Sequence, residues 1–214
     1  MAKIAVKKVA KKAVAKKVIK KVTSASSASA TKVVKKVEAK KTSPVKKAVK
    51  KVAPAKTAKF VAHSSKLKEG VKAPDFKGLN QDGKEFGLAD YKGKKVILYF
   101  YPKDNTPGCT AEAFSLQDNM NTLKKEGYEV VGVSADDVKS HKKFADKFKL
   151  SFNLLADTDR KAMKAYDVWG TKMFMGRIFD GIIRTTFIID EKGTIKHIIR
   201  AVDTKDHANQ IRNL

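Results

Sequence analysis

The sequence is short of cysteine throughout, and residues 1–65 also lack glycine and have few acids or aromatic side chains. Cys109 is the only cysteine, which excludes an intramolecular disulfide framework and a zinc site built from several thiolates. No run of about 18 uninterrupted apolar residues exists either, so we expect no membrane-spanning helix. These absences exclude a small disulfide-stabilised secreted protein and an integral membrane protein.

Positive charge, by contrast, is abundant and unevenly distributed. The 214 residues include 47 Lys and Arg against 22 Asp and Glu, a formal net charge of +25. Up to Ser65 there are 20 lysines, no arginine and a single acid, Glu38, which leaves a net charge of +19. The rest of the chain carries 27 basic and 21 acidic residues, a net charge of +6. The sequence therefore predicts a basic arm over residues 1–65 and a folded domain over residues 66–214.

The basic arm consists of degenerate Lys-Lys-Val and Lys-Lys-Ala units with Ser, Thr and Ala between them. Phe60 is its only aromatic residue, so it cannot bury enough apolar surface to offset chain entropy, and we predict that it is disordered. Its composition, with the step Ser43-Pro44, resembles the tails of linker histones. We expect it to bind the phosphates of nucleic acid without sequence preference, by releasing counterions. The lysines assigned to this binding are Lys7, Lys8, Lys11, Lys12, Lys16, Lys17, Lys20, Lys21, Lys35, Lys36, Lys46, Lys47, Lys50 and Lys51.

Other interpretations of the arm stay open. It can be a solvated charge run that only aids solubility, or a transit peptide, although transit peptides are rich in arginine and this arm has none. A membrane-surface helix is disfavoured, because its apolar face would contain only Val and Ala.

The second part of the chain alternates strand-like and helix-like segments, which predicts an α/β domain. Buried strands are expected at 95–101 and 129–134, a hairpin from strands 185–189 and 194–202, and an earlier pair of short strands around 80–83. Helices are expected at 110–126, 138–148, 160–166 and from 205 to the end. This order predicts a thioredoxin-like fold, a mixed central sheet flanked by helices.

The only cysteine follows the strand predicted at 95–101. Cys109 comes after a Pro-Gly step and enters a predicted helix, where unpaired backbone N–H groups and the positive end of the helix dipole favour the nucleophilic thiolate. Thr106 can place its hydroxyl as a hydrogen-bond donor to the sulfur or to a bound oxygen substrate, and it can also serve as a helix cap. A lone cysteine in such a domain can equally be a buried, inert side chain.

Several separated motifs, in order, make the domain resemble a peroxiredoxin of the bacterioferritin-comigratory, or Q-type, subfamily. The signature Pro-x-x-x-Thr/Ser-x-x-Cys is met by Pro102, Thr106 and Cys109. The segment Gly-Ile-Ile-Arg-Thr-Thr-Phe-Ile-Ile-Asp at 181–190 matches the one that carries the family's arginine, here Arg184. Segments 71–76 and 166–170 match as well. The resemblance covers about residues 67–210 and leaves the arm unexplained.

The resemblance implies a role for each matching residue. Cys109 would be the peroxidatic cysteine, which attacks a hydroperoxide to give a sulfenic acid and water or an alcohol. Arg184 would stabilise the thiolate and bind the peroxide oxygens. Thr106 would orient the peroxide, and Pro102 would shield the sulfur from water.

Other residues are expected to support the site or to play no part in it. The resemblance places Glu112 behind the arginine, holding it, with Trp169 also supporting the site. We expect no cofactor and no metal. The histidines have no metal-ligand spacing, and we predict surface or linker positions for His63, His141, His197 and His207. The methionines that we predict to pack around the Trp169 loop are Met163, Met173 and Met175.

The sequence departs from the subfamily pattern at one position. Many Q-type members carry a resolving cysteine five residues after the first, and here Phe114 occupies that position. The sulfenic acid on Cys109 therefore has no partner thiol in the chain. We predict a one-cysteine cycle in which an external thiol, from thioredoxin, glutaredoxin or a low-molecular-weight compound, attacks the sulfenic acid.

Together these observations predict a thiol-dependent peroxidase that reduces hydrogen peroxide and organic hydroperoxides. We expect a cytoplasmic protein, a monomer or weak dimer without membrane contact, which its arm holds on nucleic acid at the nucleoid. The alternative is a DNA-binding structural protein of the nucleoid or chromatin whose thioredoxin-like domain is inactive. The joint presence of Pro102, Thr106, Cys109 and Arg184 argues against that alternative.

Overall fold

A computed structural model describes residues 63, 65–174 and 176–214. The predicted basic arm and its lysines lie outside the described residues, apart from His63 and Ser65 at its end. His63 Nε2 lies 2.9 Å from the backbone oxygen of Asp167, and Ser65 Oγ donates to the backbone oxygen of Tyr166 over 3.2 Å. The boundary at residue 65 stays a prediction.

The described residues form nine strands and five α-helices. The strands are β1 Lys77–Leu79, β2 Glu85–Gly87, β3 Lys95–Phe100, β4 Tyr128–Ser134, β5 Asn153–Ala156, β6 Trp169–Phe174, β7 Arg177–Ile182, β8 Thr185–Ile189 and β9 Ile195–Ile199. The helices are α1 Pro107–Asp118, α2 Met120–Lys125, α3 Val138–Phe148, α4 Lys161–Ala165 and α5 His207–Arg212, with a short 3₁₀ helix at Leu88–Tyr91.

The central sheet has five strands in the order β5-β4-β3-β8-β9. β3, β4 and β5 are mutually parallel, whereas β8 runs antiparallel to both β3 and β9. The strands β1 and β2 form a separate antiparallel pair, and so do β6 and β7. The mixed central sheet with its helices confirms the predicted thioredoxin-like α/β fold.

The sheet has a buried cluster of side chains on each face. Since successive side chains of a strand point to opposite faces, a single strand contributes to both clusters. Val96 and Leu98 of β3 lie in one buried cluster, and Ile97 and Tyr99 lie in the other. All four are at most 1% exposed. β3 is thus buried on both faces, as its uninterrupted apolar sequence predicts.

The first helix begins where the local sequence favours it. Thr106 has extended backbone angles and precedes Pro107, whose fixed φ suits the first helical position. Cys109, Ala113 and Leu116 follow at helical spacing and are all buried in the cluster beneath α1.

Most predicted elements are present, with altered limits. The helix expected at 110–126 begins three residues earlier and is two helices that meet at Asn119. β5 was not predicted, and neither was the hairpin of β6 and β7, where we expected only a loop around Trp169. In the described part of the chain, no helix is long and apolar enough to cross a membrane.

Candidate active site

The candidate site lies at the carboxyl end of β3, where the chain turns into α1. The loop between them contains Pro102 and Thr106, and Cys109 is the third residue of the helix. The side chain of Cys109 is only 1% exposed. Because the sulfur lies in the first helical turn, it is close to backbone N–H groups that have no partner within the helix.

The sheet topology brings Arg184 to the same place. In the antiparallel pair of β3 and β8, Phe100 is opposite Thr185, so the residue before β8 lies beside the loop that follows β3. Arg184 Nη2 donates to Cys109 Sγ over 3.2 Å, and its side chain is 22% exposed. A guanidinium at this distance stabilises a thiolate by charge and by hydrogen bonding.

Glu112 holds the other side of the guanidinium. It lies three residues after Cys109 on α1, is fully buried, and its Oε2 accepts a hydrogen bond from Arg184 Nη1. Burial raises the pKa of Glu112 to about 7, although the neighbouring Arg184 acts in the opposite direction. Among the described atoms, Glu112 Oε1 has no hydrogen-bond partner, and His207 Nε2 lies 3.8 Å away.

The arginine itself stays a cation. Burial alone would lower the pKa of Arg184, but the charges of Glu112 and Cys109 and their hydrogen bonds outweigh burial and raise it. The sulfur, guanidinium and carboxylate therefore form a line of alternating charge when the cysteine is ionised.

Thr106 occupies the position before the first helical residue, yet its side chain makes no capping hydrogen bond. Instead, Thr106 Oγ1 donates to the backbone oxygen of Lys103 over 3.0 Å. The hydroxyl hydrogen is thus already engaged, which leaves the oxygen of Thr106 free to accept a hydrogen bond. This differs from the donor role expected from the sequence.

Two further predicted residues have no hydrogen bond to this line of charges among the described atoms. Pro102 is half-buried in the loop between Tyr101 and Thr106. Trp169 begins β6, packs against the cluster on the other face of the sheet, and stacks under the guanidinium of Arg160 at 4.1 Å. Trp169 therefore supports the fold around β6.

The prediction that all four histidines are surface or linker residues is wrong for two of them. His141 and His207 are fully buried, because they lie on the inward faces of α3 and α5. His207 Nε2 lies 2.9 Å from Thr186 Oγ1 and its Nδ1 lies 3.1 Å from Gln210 Oε1. Burial lowers the pKa of His207 to about 4, against the opposing hydrogen bond of Gln210.

Two groups near the site were not predicted. Lys172 of β6 donates from Nζ to the backbone oxygen of Ile182 over 2.8 Å, and burial, then the charge of Arg184, lower its pKa. Burial raises the pKa of Tyr99 well above its ordinary value, and the charges of Glu112 and Cys109 add to this shift. No sequence motif marks either residue, because each reaches the site only through the packing of its strand.

The predicted packing of methionines holds in part. Met163 is fully buried, but Met173 is 53% exposed because β6 and β7 form only a two-stranded pair, and Met175 lies outside the described residues. Phe114, at the position of the missing resolving cysteine, is 40% exposed and its ring contacts that of Phe148 edge to face at a centroid distance of 5.2 Å.

A cleft without this chemistry lies elsewhere. A cavity of about 330 Å³ is lined by Val96, Ile189 and Asp190, at the end of the sheet opposite to Cys109. It contains no pair of nucleophile and cation like that at Cys109, so the chemistry and not the cavity size identifies the site. Within the described residues, no cluster of three or more His, Cys, Asp or Glu side chains is placed to hold a metal ion.

Comparison with known proteins agrees with this geometry. The model of the AhpC/TSA family matches residues 70–198. The chain belongs to the AhpC/TSA family. Peroxiredoxin Bcp of Escherichia coli is 44% identical over 147 residues, which cover 69% of this chain and 94% of that protein. A putative peroxiredoxin bcp of Helicobacter pylori is 44% identical over 146 residues, with 68% of this chain and 96% of that protein covered.

Solved structures of the same family share the fold. PrxQ of Xylella fastidiosa is 32% identical with a TM-score of 0.65, and 70% of this chain and 96% of that chain are covered. The bacterioferritin comigratory protein of Xanthomonas campestris, described with an alkyl peroxide reduction activity, is 33% identical with a TM-score of 0.60 over 64% of this chain and 87% of that chain. These relatives identify the chain as a thiol-dependent peroxidase of the Bcp and PrxQ group.

Proposed function

We propose that Cys109 is the peroxidatic nucleophile and that this peroxidase reduces hydrogen peroxide and organic hydroperoxides. The observation that carries this proposal is the 3.2 Å contact from Arg184 Nη2 to the cysteine sulfur, with Glu112 holding the guanidinium from behind. The alkyl peroxide reduction described for the Xanthomonas relative supports the organic substrates.

The proposed first step transfers one oxygen atom to sulfur. The Cys109 thiolate attacks the terminal peroxide oxygen, the S–O bond forms as the O–O bond breaks, and the departing hydroxide or alkoxide takes a proton to leave as water or an alcohol. Arg184 stabilises the negative charge that spreads from sulfur to the oxygens. Thr106 Oγ1, whose hydrogen is directed to Lys103, accepts the hydrogen bond of the hydroperoxide O–H and so orients it.

The proposed second step uses an external thiol. Phe114 stands where many relatives have a resolving cysteine, and the chain has no other thiol. A thiol therefore attacks the sulfenic acid, releases water and leaves a mixed disulfide, which a second thiol reduces to regenerate Cys109. Thioredoxin, glutaredoxin and low-molecular-weight thiols are all candidate reductants.

Peroxide consumption tests this assignment. The full chain and Cys109→Ser are compared with dithiothreitol or thioredoxin as reductant, and the intact mass of each is measured after peroxide alone. We expect the unaltered chain to turn over and to gain the mass of one oxygen atom, and the variant to do neither. Full turnover by Cys109→Ser would refute the assignment, whereas an unaltered chain that neither turns over nor gains oxygen would favour the inactive structural protein.

We also propose that the basic arm holds the enzyme on nucleic acid, in the cytoplasm at the nucleoid. Its net charge of +19 over 65 residues supports this, and so does the match with Escherichia coli Bcp, which covers 94% of that protein but only 69% of this chain. The arm is thus an addition to a domain of family length. Retention on duplex DNA should be lost in a chain beginning at Leu67 and should weaken with salt in the full chain. Equal retention of both chains would refute the tether.

A further inference from the structure

A buried histidine and aspartate lie beneath the loop that leads to Cys109. His141 of α3 and Asp104 of the loop are 37 residues apart, and their side chains are 0% and 2% exposed. His141 Nδ1 lies 3.0 Å from Asp104 Oδ2. Neither residue belongs to the line of sulfur, guanidinium and carboxylate, so the pair has no part in the chemistry described so far.

Asp104 is the point at which the loop is attached to the domain. Its Oδ1 accepts from Tyr101 Oη over 2.7 Å, and its Oδ2 accepts from Ser140 Oγ over 2.7 Å as well as facing His141. Its backbone N–H donates to Asp136 Oδ2 over 2.9 Å. The loop is therefore attached through one residue to the end of β3, the end of β4 and the first turns of α3.

The hydrogen-bond partners of the histidine define its charge. His141 Nε2 lies 3.1 Å from the backbone oxygen of Leu155, which can only accept. Burial alone would raise the pKa of Asp104, but the hydrogen bonds and charge of its partners, His141 first, hold it below the ordinary value, so the group is a carboxylate. Each ring nitrogen thus faces an acceptor, and Tyr101 Oη also lies 3.5 Å from Nδ1. This geometry fits a ring with hydrogen on both nitrogens, paired with a carboxylate in the protein interior.

The segment that this pair secures needs such an attachment. Asn105, the next residue, has φ = +57°, in the left-handed region that non-glycine residues seldom occupy and that persists only where the surroundings enforce it. Asp104 stands between Pro102, assigned to shielding the sulfur, and Thr106, assigned to orienting the peroxide. If Asp104 lost its partners, Asn105 would relax and Thr106 would move away from the sulfur.

We propose that His141 is a positioning residue for the peroxidase reaction. Through its buried ion pair with Asp104 it holds the loop 101–106 in the shape that places Pro102 and Thr106 over Cys109. The proposal rests on the assignment of Cys109 as the nucleophile. A misplacement of about 1 Å at a reacting centre can cost on the order of 100-fold in rate, which sets the size of the expected effect.

The test compares two reactions of the same sulfur in the full-length protein. One is the second-order rate of sulfenic acid formation with hydrogen peroxide, and the other is the rate of alkylation by iodoacetamide, which needs the thiolate but no oriented peroxide. We expect His141→Leu to slow the peroxide reaction about 100-fold and to leave alkylation equal or faster, since a loosened loop exposes the sulfur. Ile195→Ala, a cavity variant of the other core cluster, is the matched control, and its peroxide rate should stay within about twofold.

A conservative change separates charge from hydrogen bonding. In Asp104→Asn, the amide can donate to Nδ1 of a neutral His141 while Nε2–H still donates to Leu155, so the attachment persists without charge. We expect Asp104→Asn to lose less than about tenfold in peroxide rate and Asp104→Ala to lose about 100-fold. This pair decides the question if His141→Leu does not fold.

The possible results are distinct. An unchanged peroxide rate in His141→Leu, a parallel fall of peroxide and alkylation rates, or equal losses in Asp104→Asn and Asp104→Ala would each overturn the proposal. Ring ¹⁵N NMR of the unaltered protein should show hydrogen on both nitrogens of His141, and a neutral ring would overturn the ion pair. If the unaltered protein forms no sulfenic acid on Cys109, the assignment of the nucleophile fails first, before any variant is compared.

Discussion

At Glu112, burial and charge act in opposite directions on one carboxyl group. The side chain is fully buried beside Arg184, yet its pKa is raised to about 7 and its Oε1 has no hydrogen-bond partner among the described atoms. A group whose pKa is higher in the folded protein than in the unfolded chain stabilises the fold below its unfolded value, near 4.5, and loses that contribution as pH rises toward 7. The ionised Glu112 that holds Arg184 at the sulfur therefore lowers the free energy of unfolding near neutral pH.

We expect Glu112→Gln to react more slowly with peroxide and to have a folding stability that depends less on pH. The amide keeps the shape but not the charge that holds Arg184, so the rate of sulfenic acid formation should fall roughly 10- to 100-fold. The loss of stability between pH 4.5 and 7, on the order of 3 kcal/mol in the unaltered protein, should disappear in the variant. Urea unfolding across this range measures it. Glu126→Gln, which alters an exposed ion pair with Arg212, is the control and should keep the pH dependence.

His207 should give the opposite pH dependence. Burial lowers its pKa to about 4 from the ordinary 6.5, so its contribution to stability is present above pH 6.5 and is lost as pH falls toward 4. In His207→Gln, the acid-induced loss of stability should be smaller by on the order of 3 kcal/mol, because the variant has no imidazole to protonate. A variant whose unfolding free energy falls as steeply with acid as that of the unaltered protein would contradict this.

Sequence motifs predicted some of the residues that the structure places around Cys109 and missed others. Cys109, Arg184 and Glu112 could be predicted because each lies in a segment whose residues match in order, and the structure brings these three together. His141 and Lys172 could not, since they reach the site through the register of strands and the inward face of a helix. The contact of His141 with Asp104, 37 residues away, depends on the parallel pairing of β3 and β4, which no local pattern reports.

Among the elements, α3 shows the closest agreement between sequence and structure. It was predicted at 138–148 and is found there, because the acid at 137 is a good helix cap and apolar residues follow at helical spacing. Asp137 accepts a hydrogen bond from the backbone N–H of Ser140 over 2.7 Å. The same helix carries His141, so its first turns contact the active-site loop through Asp104.

Removing this cap should cost a defined amount of stability. We expect Asp137→Ala to lower the free energy of unfolding by about 1 kcal/mol, because the N–H of Ser140 loses its acceptor. Asp137→Asn, which retains a side-chain oxygen, should lie within a few tenths of a kcal/mol of the unaltered protein. Thermal unfolding of the three proteins provides the measurement, and equal losses in both variants would show that charge and not capping is responsible.

The hairpin of β6 and β7 could not be predicted for a physical reason. Its two strands pair only with each other, so neither face is fully buried and the alternation of apolar and polar residues that indicates a strand is weak. Ile178 and Phe179 are 57% and 43% exposed, on adjacent positions that point to opposite faces. Glycines at 170, 176 and 181 made the same segment resemble a loop.

At the scale of the whole molecule, charge and catalysis belong to different parts of the chain. The folded domain carries a net charge of only +6, so the proposed long-range attraction to nucleic acid is assigned to the arm with its net charge of +19. Attraction of this kind is measured by its dependence on salt, since each phosphate neutralised changes the slope of log K against log salt concentration by about 0.9.

This dependence provides a test at the level of the full chain. Replacing eight of the nine lysines of the first 22 residues by Gln should flatten the salt slope of binding to duplex DNA by up to about 7 units, while replacing them by Arg should preserve it. The residues to be replaced are Lys7, Lys8, Lys11, Lys12, Lys16, Lys17, Lys20 and Lys21. Fluorescence anisotropy over a series of salt concentrations measures the slopes. The same slope for the Gln and Arg proteins would exclude this segment from binding.

Phe114 has a consequence for how the enzyme behaves over time. In the proposed one-cysteine cycle, a ring stands in place of a second thiol, so the sulfenic acid of Cys109 persists until a reductant arrives from outside. In the steady state, the oxidised fraction is then set by the ratio of peroxide supply to thiol supply. When thiol is scarce, a second peroxide carries the sulfur on to sulfinic acid and ends turnover. The species that waits for reductant is then a sulfenic acid, which peroxide can oxidise further, and not an intramolecular disulfide, which is protected from that reaction.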